Sequence, residues 1–510
     1  MALPRLVSII PVALIALLLL VSASCDTSIS QSTTTKPSSI SEEITWAAIV
    51  QHGQKTGYSY EKTRTFKQDG KLLVETVTEL MIESKRLQQT TTLQLKNLFL
   101  ETSNGNLISF QSEMNAISFS GTVSADGKTL AIKTISAGQE ATSTIAWNSE
   151  WGGLYATQKI LKDTPLEPGE KRSVTALIPL LNQACTVQYE AVGMEEVTML
   201  DGSQVQLMKV INKIFTNAGL ASESIIWINN QGQPIKTKDI AQNIEMFKCD
   251  EQYAKSPNEV IKFDLAADTI VPVKKDLTGI HTKNLAVYRI TLEHTSPDQV
   301  FPARSNQYFI KVDKQTIDLH VQRMSIDGTL SIPAIVQVAP VPEDSMPSPL
   351  IQSDDQKIIA MSQQVLPAEK SAAVIALAME KYVHEKITAK NFSTAFASAA
   401  EVAQNLEGDC TEHSVLLTAL LRARKIPART AMGLVYFEFP TSKGFAYHMW
   451  TEAWVSDRWF PLDATMGRGG IGPGHIKVGD SNLAGAGAFA AFLPVSQVIG
   501  QVKIEAVLVE

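Results

Sequence analysis

One proline-rich break splits this chain into two stretches with different hydrophobic periods. APVPEDSMPSP carries Pro340, Pro342, Pro347 and Pro349. Proline lacks an N–H and disfavours helix at the preceding residue, so this segment is a linker or an extended crossing. Before the break, Asn-Gly or Asp-Gly pairs recur at 69–70, 104–105, 126–127, 201–202 and 327–328, between partly alternating runs. Such pairs supply the positive φ that tight hairpins need, which predicts antiparallel β-structure. KLLVETVTELMI (71–82), KTLAIKTI (128–135) and SIIWIN (224–229) are the clearest strands. After the break the period becomes helical: Val374, Leu377, Ala378, Tyr382 and Ile387 mark one such face.

At 510 residues the chain exceeds a single core, so several domains are expected. The reading is an N-terminal all-β, antiparallel region followed by a C-terminal α+β domain. Its divisions are 1–24 (signal peptide), 25–44 (Ser/Thr-rich tether), 45–255 and 256–340 (β domains), 341–352 (Pro-rich linker) and 353–510 (the α+β domain).

Arg5, the apolar run Val7–Val21 and Ser22-Ala23-Ser24 have the order of an export signal. The small residues ahead of Cys25 resemble a lipobox, although Ser22 stands where leucine is usual. A lipid on Cys25, anchoring an exported protein to the cell envelope, is one expectation; cleavage and secretion is the other. Net charge is −7 and the basic residues are scattered, which argues against nucleic acid as a partner.

Four cysteines occur: Cys25, Cys185, Cys249 and Cys410. In an oxidising compartment free thiols need a reason. A bridge between Cys185 and Cys249 would leave Cys410 alone; the other reading keeps both as buried thiols. His281, His294 and His320 are isolated and lack metal-ligand spacing, so no metal or cofactor is expected.

EGDCTEHSVLLTALLRARKIPAR (407–429) places Cys410 at the start of an apolar helix that Pro427 ends. A helix start favours thiolate, and its backbone N–H groups can stabilise an oxyanion. FAYHMWTEAWV then carries His448, and RWFPLDAT carries Asp463. An imidazole can take the thiol proton, and a carboxylate can fix its tautomer. The candidate catalytic residues are therefore Cys410, His448 and Asp463. Glu412, His413 and Trp450 are candidate substrate contacts; for Glu412 and His413 the alternative is a solvated helix face.

Gly408-Asp409-Cys410, Arg422 to Arg429, Tyr447-His448-Met449-Trp450 and Arg458 to Thr465 together resemble the transglutaminase-like superfamily, a branch of papain-like cysteine enzymes. The resemblance covers about 350–510. It implies Cys410 as nucleophile, His448 as base and Asp463 as orienter, acting on a protein or peptide through a thioester. Hydrolysis is the favoured outcome; acyl transfer to an amine, or a non-catalytic scaffold, are the alternatives. Ala464 stands where that family has proline, and no upstream oxyanion residue is evident beyond Asn391 and Asn405. A calcium loop is absent, so calcium dependence is not implied. The glycine-rich MGRGGIGPGHIKVGD reads as a mobile cleft wall with His475 near it, and GQVKIEAVLVE as the strand that closes the sheet.

Overall fold

The computed structural model describes residues 39–510 except 87–88, 218, 241, 259–263, 265–267, 294, 325, 327–336, 370, 390–395, 439–441 and 486–487. Cys25, His294, Asn391 and the Asp327-Gly328 pair thus lie outside the described residues, as do the expected signal and most of the tether.

Fourteen antiparallel strands, from β1 (Ser39–Gln51) to β14 (Ile244–Cys249), make one sheet. Its order runs from β8 (Gln139–Ala146) stepwise to β1, then from β14 stepwise to β9 (Lys171–Ile178). Every neighbour is therefore a sequence neighbour except at the centre, where β1 pairs with β14 from Trp46↔Cys249 to Gln51↔Ile244. The four described Asn-Gly and Asp-Gly pairs lie between consecutive strands, as their chemistry dictates. At 69–70 both turn residues have positive φ, 49° and 75°.

Helix α1 (Leu154–Lys162) joins the two edge strands and buries Leu154, Ala156 and Leu161. Its first N–H groups find Glu101, whose carboxylate accepts from Gly153, Tyr155 and Ala156. Burial pushes that carboxyl up to about 7 despite the three amides.

The sheet rules out the Cys185–Cys249 bridge. Cys185 lies on β10 (Gln183–Thr198) and Cys249 on β14, with three strands between them in the sheet order. Four strand spacings of about 4.8 Å separate them, far beyond disulfide reach, and both thiols are free.

A second antiparallel sheet has the order β17 (Gln307–Lys311), β18 (Thr316–Gln322), β16 (Leu285–Leu292), β23 (Val502–Val509). The C-terminal strand is present, but it pairs with β16 rather than closing the sheet of the Cys–His–Asp segment. Its alternating burial suits an edge position in either sheet; sequence pattern alone does not choose.

The C-terminal domain packs helices on a third sheet, ordered β15 (Val271–Pro272), β20 (Lys443–Val455), β19 (Ala428–Glu438), β22 (His475–Ser481), with β21 (Arg458–Leu462) also on β20. The helices are α2 (Gln356–Gln364), α3 (Ala372–Lys386), α4 (Ala399–Asn405) and α5 (Cys410–Ala423). Almost all of α5 is buried, which explains an apolar run without an amphipathic stripe. The proline-rich segment is not an extended crossing: Pro342–Asp344 form a short 3-10 helix, with Pro342 at its first position. Arg422 holds the segment by donating to Met346 O, and also reaches Ala428 O and Asn482 O.

Candidate active site

Cys410 is the first residue of α5, and Asp409 is its N-cap. The Asp409 side chain accepts from Thr411 N, while Glu412 reaches back to Asp409 N at 2.8 Å. Glu412 also accepts from Ala397 N, and burial followed by the Asp409 charge pushes its carboxyl well above the usual range. Gly408 is fixed by this cap: its φ is +141°, and a Cβ would stand 2.3 Å from Glu412 Cγ. His413 is buried and its Nδ1 meets Asp409 O at 2.5 Å. Glu412 and His413 are therefore inside the domain and not on a solvated face.

His448 and Asp463 come together. His448 sits mid-strand on β20, and Asp463 follows β21 directly. His448 Nε2 is 3.0 Å from Asp463 Oδ2. Asp463 Oδ1 accepts from the backbone of Thr465 and Met466. Burial alone would raise Asp463, but the charge and N–H of His448, with those of His475, hold it well below the usual carboxylate range. An ionised carboxylate only accepts, so His448 presents Nε2–H and keeps its lone pair on Nδ1. That Nδ1 is buried and has no hydrogen-bond partner among the described residues.

The thiol and the imidazole are not hydrogen-bonded to each other, because Nε2 is taken by Asp463 and Nδ1 is unpartnered. Thr451 of β20 bonds to Ser414 O and Thr418 on α5, and Ser414 bonds Cys410 O one turn earlier. Strand alternation then sets His448, Trp450 and Glu452 on the opposite face from Thr451. Along one edge of β20, β15 pairs with Gly444 and Phe445, and β21 pairs from Thr451 to Val455. Neither strand covers 446–450, and Asp463 enters at this gap. Cys410, His448 and Asp463 are each no more than 1 % exposed. Trp450 is equally buried and packs with Ala431, Val435 and Ile471.

Two partners of Asp463, and one residue packed behind them, escape a sequence reading. His475 Nε2 also lies 3.0 Å from Asp463 Oδ2; it belongs to strand β22, not to a mobile wall. His281, isolated in sequence, stacks edge-on against His475 with ring centres 5.3 Å apart. Glu380 on α3 accepts from Asp463 N and Gly470 N. One signal was available: His475 and Lys477 fall two apart on a strand, so both face one side and need partners if buried.

Lys477 has such partners. It meets Glu452 at 2.7 Å and Asp480 at 2.8 Å, and Arg429 bridges the same two carboxylates. Ser305 also donates to Glu452. Removing one member of a buried pair costs about 3–5 kcal/mol. Lys477→Met is expected to lose stability of that order, seen as a lower urea midpoint for the C-terminal transition.

Burial, opposed by backbone amides, pushes Glu380 up to about 8. Its folded value is raised, so its contribution is complete below about pH 4.5 and is lost as pH rises towards 8. Within that window the slope is about 1.4 kcal/mol per pH unit. Glu380→Gln is expected to flatten this loss in denaturation curves taken from pH 5 to 8.

His448, Asp463 and His475 also form a group whose ligand atoms lie within 4.8 Å of one another. Two imidazoles and a carboxylate are a reasonable donor set for a transition metal. Here both Nε2 atoms sit at hydrogen-bond distance from one oxygen, and the group is fully explained as hydrogen-bonded.

Residues 359–464 match the model of the transglutaminase-like superfamily. The C-terminal domain is thus a transglutaminase-like core behind a large antiparallel β region. No curated protein matches the chain. Among solved structures, a putative cysteine protease from Cytophaga hutchinsonii is 16% identical, covering 44% of this chain and 82% of that one, with a TM-score of 0.28. A beta-barrel-like protein of unknown function from Brucella abortus is 9% identical over 41% and 93%, TM-score 0.26. The periplasmic domain of TgpA from Pseudomonas aeruginosa is 12% identical over 37% and 76%, TM-score 0.23.

Proposed function

We propose that the chain is a cysteine-dependent amide-bond enzyme acting on protein or peptide, with hydrolysis as its outcome. The observation that carries this reading is the His448–Asp463 pair, which leaves a buried imidazole Nδ1 unpartnered in a domain whose helix α5 begins at Cys410.

In this reading Cys410 closes on Nδ1 at the gap beside residues 446–450 and gives it the thiol proton. The sulfur attacks the substrate carbonyl. The oxyanion is met by the Cys410 N–H at the start of α5. As the C–N bond breaks, the imidazolium protonates the leaving amine. Water then attacks the thioester, passing a proton to Nδ1, and the C–S bond breaks to give the acid and the free enzyme.

Export, with a lipid on Cys25 as the anchor, belongs to the same proposal. Among the described residues no helix is long and apolar enough to cross a membrane. The test is a screen of peptides with and without an added amine, comparing wild type with Cys410→Ala and weighing the products by mass. Acid products that require Cys410 support hydrolysis. Amine adducts move the reading to acyl transfer, and activity that survives Cys410→Ala rejects the cysteine mechanism.

A further inference from the structure

Asp463 accepts four N–H groups: Nε2 of His448 and His475 on Oδ2, and the amides of Thr465 and Met466 on Oδ1. The proposed reaction uses only one of the two imidazoles. The second is buried, at the same 3.0 Å, and its Nδ1 is likewise buried and unpartnered among the described residues. Its position is built in. Gly433 pairs with His448 across β19 and β20, and a Cβ there would stand 2.0 Å from Ile476 O. Only glycine lets β22 approach closely enough to bring His475 over the carboxylate.

We propose that His475 is a positioning residue for Cys410 chemistry: by donating Nε2–H to the oxygen that holds His448, it keeps Asp463 an anion and His448 in the tautomer whose Nδ1 can take the thiol proton. This rests on the triad reading given above.

The physical case turns on what a buried carboxyl does when it has too few donors. Burial favours its neutral form. A protonated Asp463 would donate to His448 Nε2, so the imidazole would carry its own proton on Nδ1 and could not act as base. The second imidazole fills the remaining site on Oδ2 and closes that route. A neutral histidine supplies a donor without a fixed positive charge that would compete for the anion. Burial lowers His475 below the ordinary histidine value, with His448 and Arg468 adding to the effect and Asp463 opposing it. From its other sides His475 meets His281, itself pushed down to about 3, and the ring of Trp450 at 5.4 Å. From α3, Glu380 faces the Asp463 backbone and, raised to about 8, adds little competing charge at neutral pH.

The test uses the full chain labelled with [15N]histidine, as wild type, His475→Leu and His475→Gln, each also carrying Cys410→Ala. Glutamine keeps an N–H close to the Nε2 position; leucine has none. Imidazole nitrogen shifts report the tautomer and titration midpoint of His448 without any turnover. In wild type the His448 proton is expected on Nε2, the nitrogen that faces Asp463. In His475→Leu its tautomer or midpoint changes, and His475→Gln restores it. In parallel, with Cys410 intact, His475→Leu lowers kcat by about 10–100-fold with little change in KM, moves the acidic limb of the pH profile upward, and is rescued by glutamine. Should the leucine variant not fold, His475→Asn, whose amide is too short to reach Oδ2, replaces it. An unchanged His448 signal in the leucine or asparagine variant, or a glutamine variant as altered as leucine, overturns the proposal. A wild type without turnover but with the expected His448 signals rejects the enzyme reading and leaves the role of His475 at Asp463 standing.

Discussion

Cys410→Ala is expected to reduce turnover to background while leaving the fold intact. Removing the nucleophile of a triad costs on the order of 10⁶ in kcat where such losses have been separated, because no other group can form the acyl-enzyme. Stability should change little by comparison. Cys410 is buried at the start of α5, and alanine removes one sulfur without touching the Asp409–Glu412 cap. The pairing of near-total activity loss with a near-normal urea midpoint separates a catalytic cysteine from a packing one. Loss of stability with activity retained per folded molecule would make Cys410 a core residue only.

Asp463→Asn is the second large effect. Asparagine keeps the size but offers an oxygen and an amide in place of two accepting oxygens. With Oδ1 held by Thr465 and Met466, the amide NH₂ would face His448 and His475. His448 Nε2 must then accept, which moves its proton to Nδ1 and removes the base. The analogous change in a serine triad costs about 10⁴ in kcat. The same magnitude is expected here, mostly in kcat, with KM changed far less. Steady-state kinetics on a peptide found in the screen decide it. A loss below about tenfold would mean that Asp463 does not set the tautomer.

Much of this was legible from local chemistry. The Asn-Gly and Asp-Gly pairs marked hairpins because their φ requirement is local, and β3 (Lys71–Arg86) follows Asp69-Gly70 directly. The helix from Cys410 to Ala423 and the strands bearing His448 and leading to Asp463 were equally visible, since apolar period and proline placement act over a few residues. What was hidden depends on closure. His475 meets Asp463 only because β22 lies beside β19, and nothing within its own sequence names that neighbour. His281 lies 194 residues earlier than His475 and reaches it through the turn after β15, whose strand joins the edge of β20. Glu412 stood between a substrate contact and a solvated helix face, because acids usually lie outside; a cap inside a buried helix end removes the solvated face. Cys185 and Cys249 could be paired on paper because sequence separation carries no information about how many strands stand between two residues.

The central claim is that Cys410 is an activated thiol and that His448 activates it. The chain contains its own controls. Burial pushes Cys185 up to about 12 and, with Asp250, Cys249 up to about 11, so neither should react at mildly acidic pH. The direct measurement is site-resolved alkylation by iodoacetamide at about pH 6, followed by peptide mass spectrometry, for wild type and His448→Ala. The account predicts that Cys410 is labelled well ahead of Cys249 and Cys185, and that this advantage disappears in His448→Ala. Labelling of Cys249 ahead of Cys410 in wild type, or an unchanged Cys410 rate in His448→Ala, would contradict it.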